Sequence, residues 1–225
     1  MAEVDDTARS WRYPPPPESE PAWPVQAAVL LAIGFQVLLP AKVSDGPRWL
    51  LPAFELALLI VLVMTTPREL EGPHARRRRI ALAVITVVSG ANIASLVLLA
   101  NQLINHNISS GRELIAAGAL IWLTNVLIFA IWYWETDRGG PGLRAAGRDA
   151  APDFLFPQMT DDRIQPHTWR PQFLDYLYVS FTNSTAFSPT DTMPLSRSAK
   201  GMMGLQSLAS LVTIGLVISR SVNIL

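Results

Sequence analysis

The densest cluster of chemically capable side chains lies between Arg170 and Lys200, in the segment RPQFLDYLYVSFTNSTAFSPTDTMPLSRSAK. Thr182, Asn183, Ser184, Thr185, Ser188, Thr190, Asp191 and Thr192 bring hydroxyls, an amide and one carboxylate into a single short stretch. Pro189 and Pro194 stop a helix from running through them, because proline lacks an N–H and its ring clashes with the preceding turn. Just before them, Phe173 to Thr182 is apolar and aromatic with one acid, Asp175, and Pro171 stands ahead of it as a first-turn residue. About ten residues make a helix of ~15 Å, half of what a hydrocarbon core of ~30 Å requires. Non-helical polar backbone at membrane depth is tolerated only where protein buries it or it lines water. If it lines water, Thr182, Thr185, Ser188 and Thr190 border a passage and Asp191 gives cation preference at its mouth. If it is buried, the same hydroxyls bond the free carbonyls of the short helix and leave no passage. Ser196 is placed to cap a following helix.

Three further polar residues fall inside apolar runs: Glu55, Asn92 and Asn125. Glu55 is an ion or proton site, or else touches headgroups or water, since it lies only about 9 Å along its helix from Trp49. Asn92 and Asn125 fit a pair across two helices, a packing contact worth about 1 kcal/mol. Ser89, Asn92 and Ser95 recur every three residues and suit close helix contact. No pattern for catalysis is present: there is no paired-histidine motif, no Gly-x-Ser-x-Gly and no pair of carboxylates at helical spacing. The chain has no cysteine, and His74, His106 and His167 lie far apart in polar connections, so no metal site and no cofactor is expected. Net charge is zero, which gives no reason to expect a nucleic-acid partner.

These residues need positioning by elements of a particular kind. Half of the chain is hydrophobic and 16% charged, and the charges cluster between long apolar runs. The runs are Trp23 to Pro40, Trp49 to Thr66, Ile80 to Ile104, Leu114 to Trp134 and Ala199 to Asn223. Each approaches the ~20 residues of a spanning helix, the first two being short. Asp45-Gly46-Pro47 turns the first into the second. Trp23, Trp49, Trp132, Tyr133 and Trp134 sit where membrane–water boundaries are expected, as does Trp169, and DFLFPQM suits the membrane surface. The predicted fold is all-α, a bundle of five transmembrane helices with a re-entrant half-helix and loop before the last. It divides into a disordered Pro-rich tail (1–22), a four-helix region (23–134), a polar linker (135–170) and the half-helix, turn and last helix (171–225). The tail, acidic at its start and carrying four consecutive prolines, does not read as a signal peptide. Arg68, the run Arg76 to Arg79, and Arg138, Arg144, Arg148, Arg163 and Arg170 join Arg9 and Arg12 on one side, against Lys42, Arg48 and Arg112 on the other. The positive-inside rule then puts the N-terminus and the half-helix entrance in the cytoplasm and the C-terminus outside. Gly201, Gly204, Ser207 and Ser210 give the last helix small residues for contact with other helices rather than lipid.

The stretch Tyr176 to Lys200 with the last helix resembles the pore loop and inner helix of the bacterial two-transmembrane potassium-channel domain, roughly F-T-x-x-T-T-V-G-Y-G-D-x-x-P-L-S. Phe181, Thr182, Thr185, Asp191, Pro194, Leu195 and Ser196 match without a gap, whereas Ser188 and Thr190 replace both glycines and Pro189 replaces the tyrosine. The resemblance implies a channel-like protein, a homo-oligomer (a tetramer) and monovalent cations as partners. The altered positions imply that the potassium filter is gone. Potassium-channel loops enter from outside, opposite to the side the charge count gives. The five-helix plan also resembles bacterial multi-pass proteins of uncharacterised activity, which implies a bacterial-type plasma membrane and no particular activity. A non-conducting scaffold or accessory subunit, and a small secondary transporter using Glu55, are the alternatives.

Overall fold

A computed structural model describes residues 21–40, 50–65, 75–104, 111–145, 151–160, 169–185 and 191–224. The Pro-rich tail to Glu20, and Ser188, Pro189 and Thr190, lie outside the described residues. The chain is mostly helical: α1 (Trp23–Leu38), α2 (Leu50–Thr65), α3 (Ala75–Ile104), α4 (Gly111–Thr136), α5 (Pro141–Ala145), α6 (Phe173–Thr185) and α7 (Arg197–Ile224). A short antiparallel ribbon joins β1 (Phe154–Leu155) to β2 (Met193–Pro194), with Leu155 opposite Met193. The apolar runs thus become helices with small changes at their ends.

Among the described residues, three segments, Ala75–Leu103, Gly111–Arg144 and Arg197–Ser219, are long and apolar enough to cross a membrane. α1 and α2 have 16 residues each, about 24 Å of helix. Large apolar side chains face outward around the bundle: Leu31 on α1, Phe54 and Met64 on α2, Ile93 on α3, Leu208 and Leu211 on α7. A water-soluble surface does not sustain so continuous an apolar exterior, whereas lipid does.

α4 is the central helix, apolar and buried on several sides, with α1, α3, α6 and α7 packed against it. Its neighbours' directions follow from residue pairs. α3 is antiparallel to it, since Arg77 pairs with Glu135 at one end while Leu99 and Leu103 cluster with Leu114 at the other. α7 is antiparallel as well: Gln206 meets Tyr133, Ser210 meets Asn125, and Val217 lies against Gly118. A Cβ at position 118 would come within 2.2 Å of Val217 Cγ2, so any side chain there would force Val217 or the helices to shift.

The linker after α4 folds back as a cap, contrary to two expectations. DFLFPQM is not a surface patch: Phe154 and Phe156 are buried, and both pack on Tyr176. Tyr133 and Trp134 are not boundary anchors but core residues, 0% and 1% exposed, because the cap covers the end of α4. Trp132 turns to α3 and donates to Ser89 Oγ at 3.0 Å. Trp23 is exposed, and Trp169 packs on Phe156.

A buried polar seam as the candidate functional site

Two polar systems fix α6. The first lies at the last turn of α4. Arg144 Nη1 donates to the Trp134 carbonyl at 2.6 Å and the Asp137 carbonyl at 2.9 Å, capping the helix end, while its guanidinium lies over the rings of Trp134 and Tyr176. Asp137 accepts the Tyr176 hydroxyl (2.6 Å) on one oxygen and the Asp153 N–H (2.8 Å) on the other. The Asp153 carbonyl accepts the Leu195 N–H at 2.8 Å. The Asp137 carboxylate therefore holds the start of α6, and the Asp153 backbone carbonyl holds the approach to α7. Locally, α6 starts where Asp175 accepts the Gln172 N–H (2.7 Å), half of a capping box. α7 starts where Ser196 Oγ accepts the Ala199 N–H (3.1 Å), as its sequence position predicts.

The second system runs between α4, α6 and α7 and centres on Gln206, which is fully buried. Its Nε2 donates to the Ser180 carbonyl (2.9 Å), Ser180 Oγ (2.6 Å) and Ser184 Oγ (2.7 Å), two protons shared among three acceptors. Its Oε1 accepts from Asn183 Nδ2 (2.8 Å) and from the Tyr133 hydroxyl. Asn183 also donates to the Met203 carbonyl (3.0 Å) and accepts from Ser207 Oγ (3.1 Å). Ser180 Oγ reaches the Val126 carbonyl at 2.6 Å. Among the described residues, no buried side-chain polar atom of this seam lacks a partner. A saturated, uncharged network of this kind locks helices together.

The residues singled out in the sequence divide accordingly. Thr182 donates to the Tyr178 carbonyl (2.8 Å) and Thr185 to the Thr182 carbonyl (2.9 Å), so both hydroxyls serve their own helix. Asp191 is exposed. Asn125 joins the seam, donating to Ser210 Oγ (3.0 Å) and the Gln206 carbonyl (3.3 Å). The expected Asn92–Asn125 pair is therefore replaced by a bond to α7, with Asn92 buried on α3. Glu55 is wholly buried, beside Gln36 of α1. The small-residue stripe on α7 is borne out at Ser207, which bonds Asn183, and at Ser210, which bonds Asn125. Gly201 and Gly204 are exposed in the single chain; Ala199, Gln206 and Thr213 are also buried, and Leu205, Leu208 and Leu211 face out. Sequence reasoning missed Tyr133, Ser180 and Gln206. The signal was the i, i+4, i+7 spacing of Gln206, Ser210 and Thr213, matched by Ser180 and Ser184 on α6.

Among the described residues there is no group of three or more His, Asp or Glu side chains that could hold a metal ion. Comparison with known proteins returns no matching family model, no matching curated protein and no matching solved structure.

Proposed function

We propose that the chain is a multi-pass protein with five spanning helices, α1 to α4 and α7, in which α6 is a re-entrant half-helix. Its α6–turn–α7 unit is a channel-like pore loop without a potassium filter. One observation carries this reading. Tyr176 is tied to Asp137, and Met193 is paired with Leu155, both at one end of α4, while Ser184 between them lies beside Trp122, further along α4. A segment that enters and returns at the same end is what a pore loop requires, and the resemblance of Phe181 to Ser196 to a potassium-channel loop supports it. A potassium filter replaces the ion's water with backbone carbonyls, and glycines permit the backbone angles involved. Ser188 and Thr190 disfavour those angles, and Pro189 fixes its own φ near −65°. The pathway is therefore non-selective or weakly cation-preferring, formed between copies of the chain, with a tetramer proposed by resemblance. The entrance is cytoplasmic by the arginine count.

A second reading, a non-conducting scaffold with a channel-derived fold, is favoured by the Thr182 and Thr185 hydroxyls being used by their own helix. Reconstituted flux in opposed sodium and potassium gradients separates the two. The channel reading predicts current with a reversal potential away from the potassium equilibrium value. A reversal at that value contradicts the lost filter, and zero flux under all conditions leaves the scaffold.

A further inference from the structure

A separate observation lies away from α6, in the α1–α2 hairpin. Glu55 is 0% exposed, and neither of its carboxylate oxygens has a hydrogen-bond partner among the described residues. The polar side chain beside it is Gln36 of α1, 8% exposed, whose Nε2 is likewise without a partner. α2 packs against α1 and α3. Apart from Glu55, α1 and α2 contain no ionisable residue, and α3 contains none from Ile80 to Ile104. Its arginines sit at the opposite end, where Arg77 is committed to Glu135. Among the described residues, no cation is paired with this carboxylate. An isolated charge buried in this way is neutralised rather than kept.

We propose that Glu55 and Gln36 form a proton-binding site inside the membrane, with a proton held on Glu55 at neutral pH. A proton completes both side chains at once. The acid O–H donates to Gln36 Oε1, and Gln36 Nε2–H donates to the carbonyl oxygen of Glu55. The two amide ends exchange by a half-turn of the Gln36 side chain, which presents either end to Glu55. A metal cation takes roughly six oxygen ligands, and these two side chains offer only the Glu55 carboxylate pair and the Gln36 carbonyl. Loss of the proton places a bare charge between α1 and α2, so the site links the packing of this hairpin to pH. The inference rests on α1 and α2 lying in the membrane, as proposed above, and is independent of the pore-loop reading.

The test is infrared difference spectroscopy on the full chain in liposomes, wild type against Glu55→Gln. The expected result is a protonated-carboxyl carbonyl band at neutral pH that disappears in Glu55→Gln and shifts in Gln36→Leu. It persists when sodium or potassium chloride replaces choline chloride. Glu55→Asp, which keeps the acid and shifts the band, gives the same assignment should the glutamine variant misfold. Carboxylate bands at neutral pH in place of the carbonyl band would overturn the proposal. Loss of the band on adding sodium or potassium at fixed pH would also overturn it, making the site a metal-cation site.

Discussion

Gln206 shows how much of this bundle hangs on single polar side chains. An amide inside an apolar environment is costly unless all its bonds are made, and Gln206 makes them to four residues of α4 and α6. We expect Gln206→Leu to destabilise the protein by about 2–4 kcal/mol, because it removes the Gln206 partner of the Ser184 and Tyr133 hydroxyls and one bond each from Ser180 and Asn183. Tyr133→Phe removes one interhelical bond and should cost about 1 kcal/mol. Unfolding of the detergent-solubilised variants checks both, and equal losses for the two would contradict a network centred on Gln206. At this scale the sequence was only partly legible. Thr182, Thr185 and Asn183 stood out by type, but which hydroxyls face α7 depends on how α6 is rotated about its axis. Ser180, one turn away from Ser184, is in the seam, whereas Thr182 faces its own backbone.

Among the elements, α4 was legible and its surroundings were not. Long apolar runs declare helices because a bilayer admits few other structures; the ends of α4 and α7 fall within three residues of the apolar runs, whereas α3 starts at Ala75 and takes in the arginines that precede its run. The ribbon of β1 and β2 could not be read, since two-residue strands carry no periodicity, and with it went the burial of Phe154, Tyr133 and Trp134. At the contact of α4 with α7, a side chain at position 118 would meet Val217. Gly118→Leu should separate the two helices and cost about 1–3 kcal/mol, as overpacking does. Val217→Ala, which removes the stiff methyl group that the new side chain meets, should recover part of that loss. If Val217→Ala gives no recovery in the double variant, the close approach is not what position 118 provides.

For the whole molecule, the arrangement of ends is the decisive property. The first turn of α3, the last turn of α4, the β ribbon and the starts of α6 and α7 gather at one end, tied by Arg77, Arg144, Asp137 and Asp153. The arginine distribution anticipates that grouping, because it assigns the connections after α2 and α4 to one side. The chain has no cysteine, so single introduced cysteines report topology without interference. The measurement is labelling by a membrane-impermeant maleimide, in intact cells and in inside-out vesicles, at Gln172→Cys before α6, Asp191→Cys after it and Ser219→Cys near the end of α7. The re-entrant account predicts that the first two react from the same, cytoplasmic side and the third from the opposite side. Labelling of Gln172→Cys and Asp191→Cys from opposite sides would mean that α6 crosses the membrane, and would contradict it.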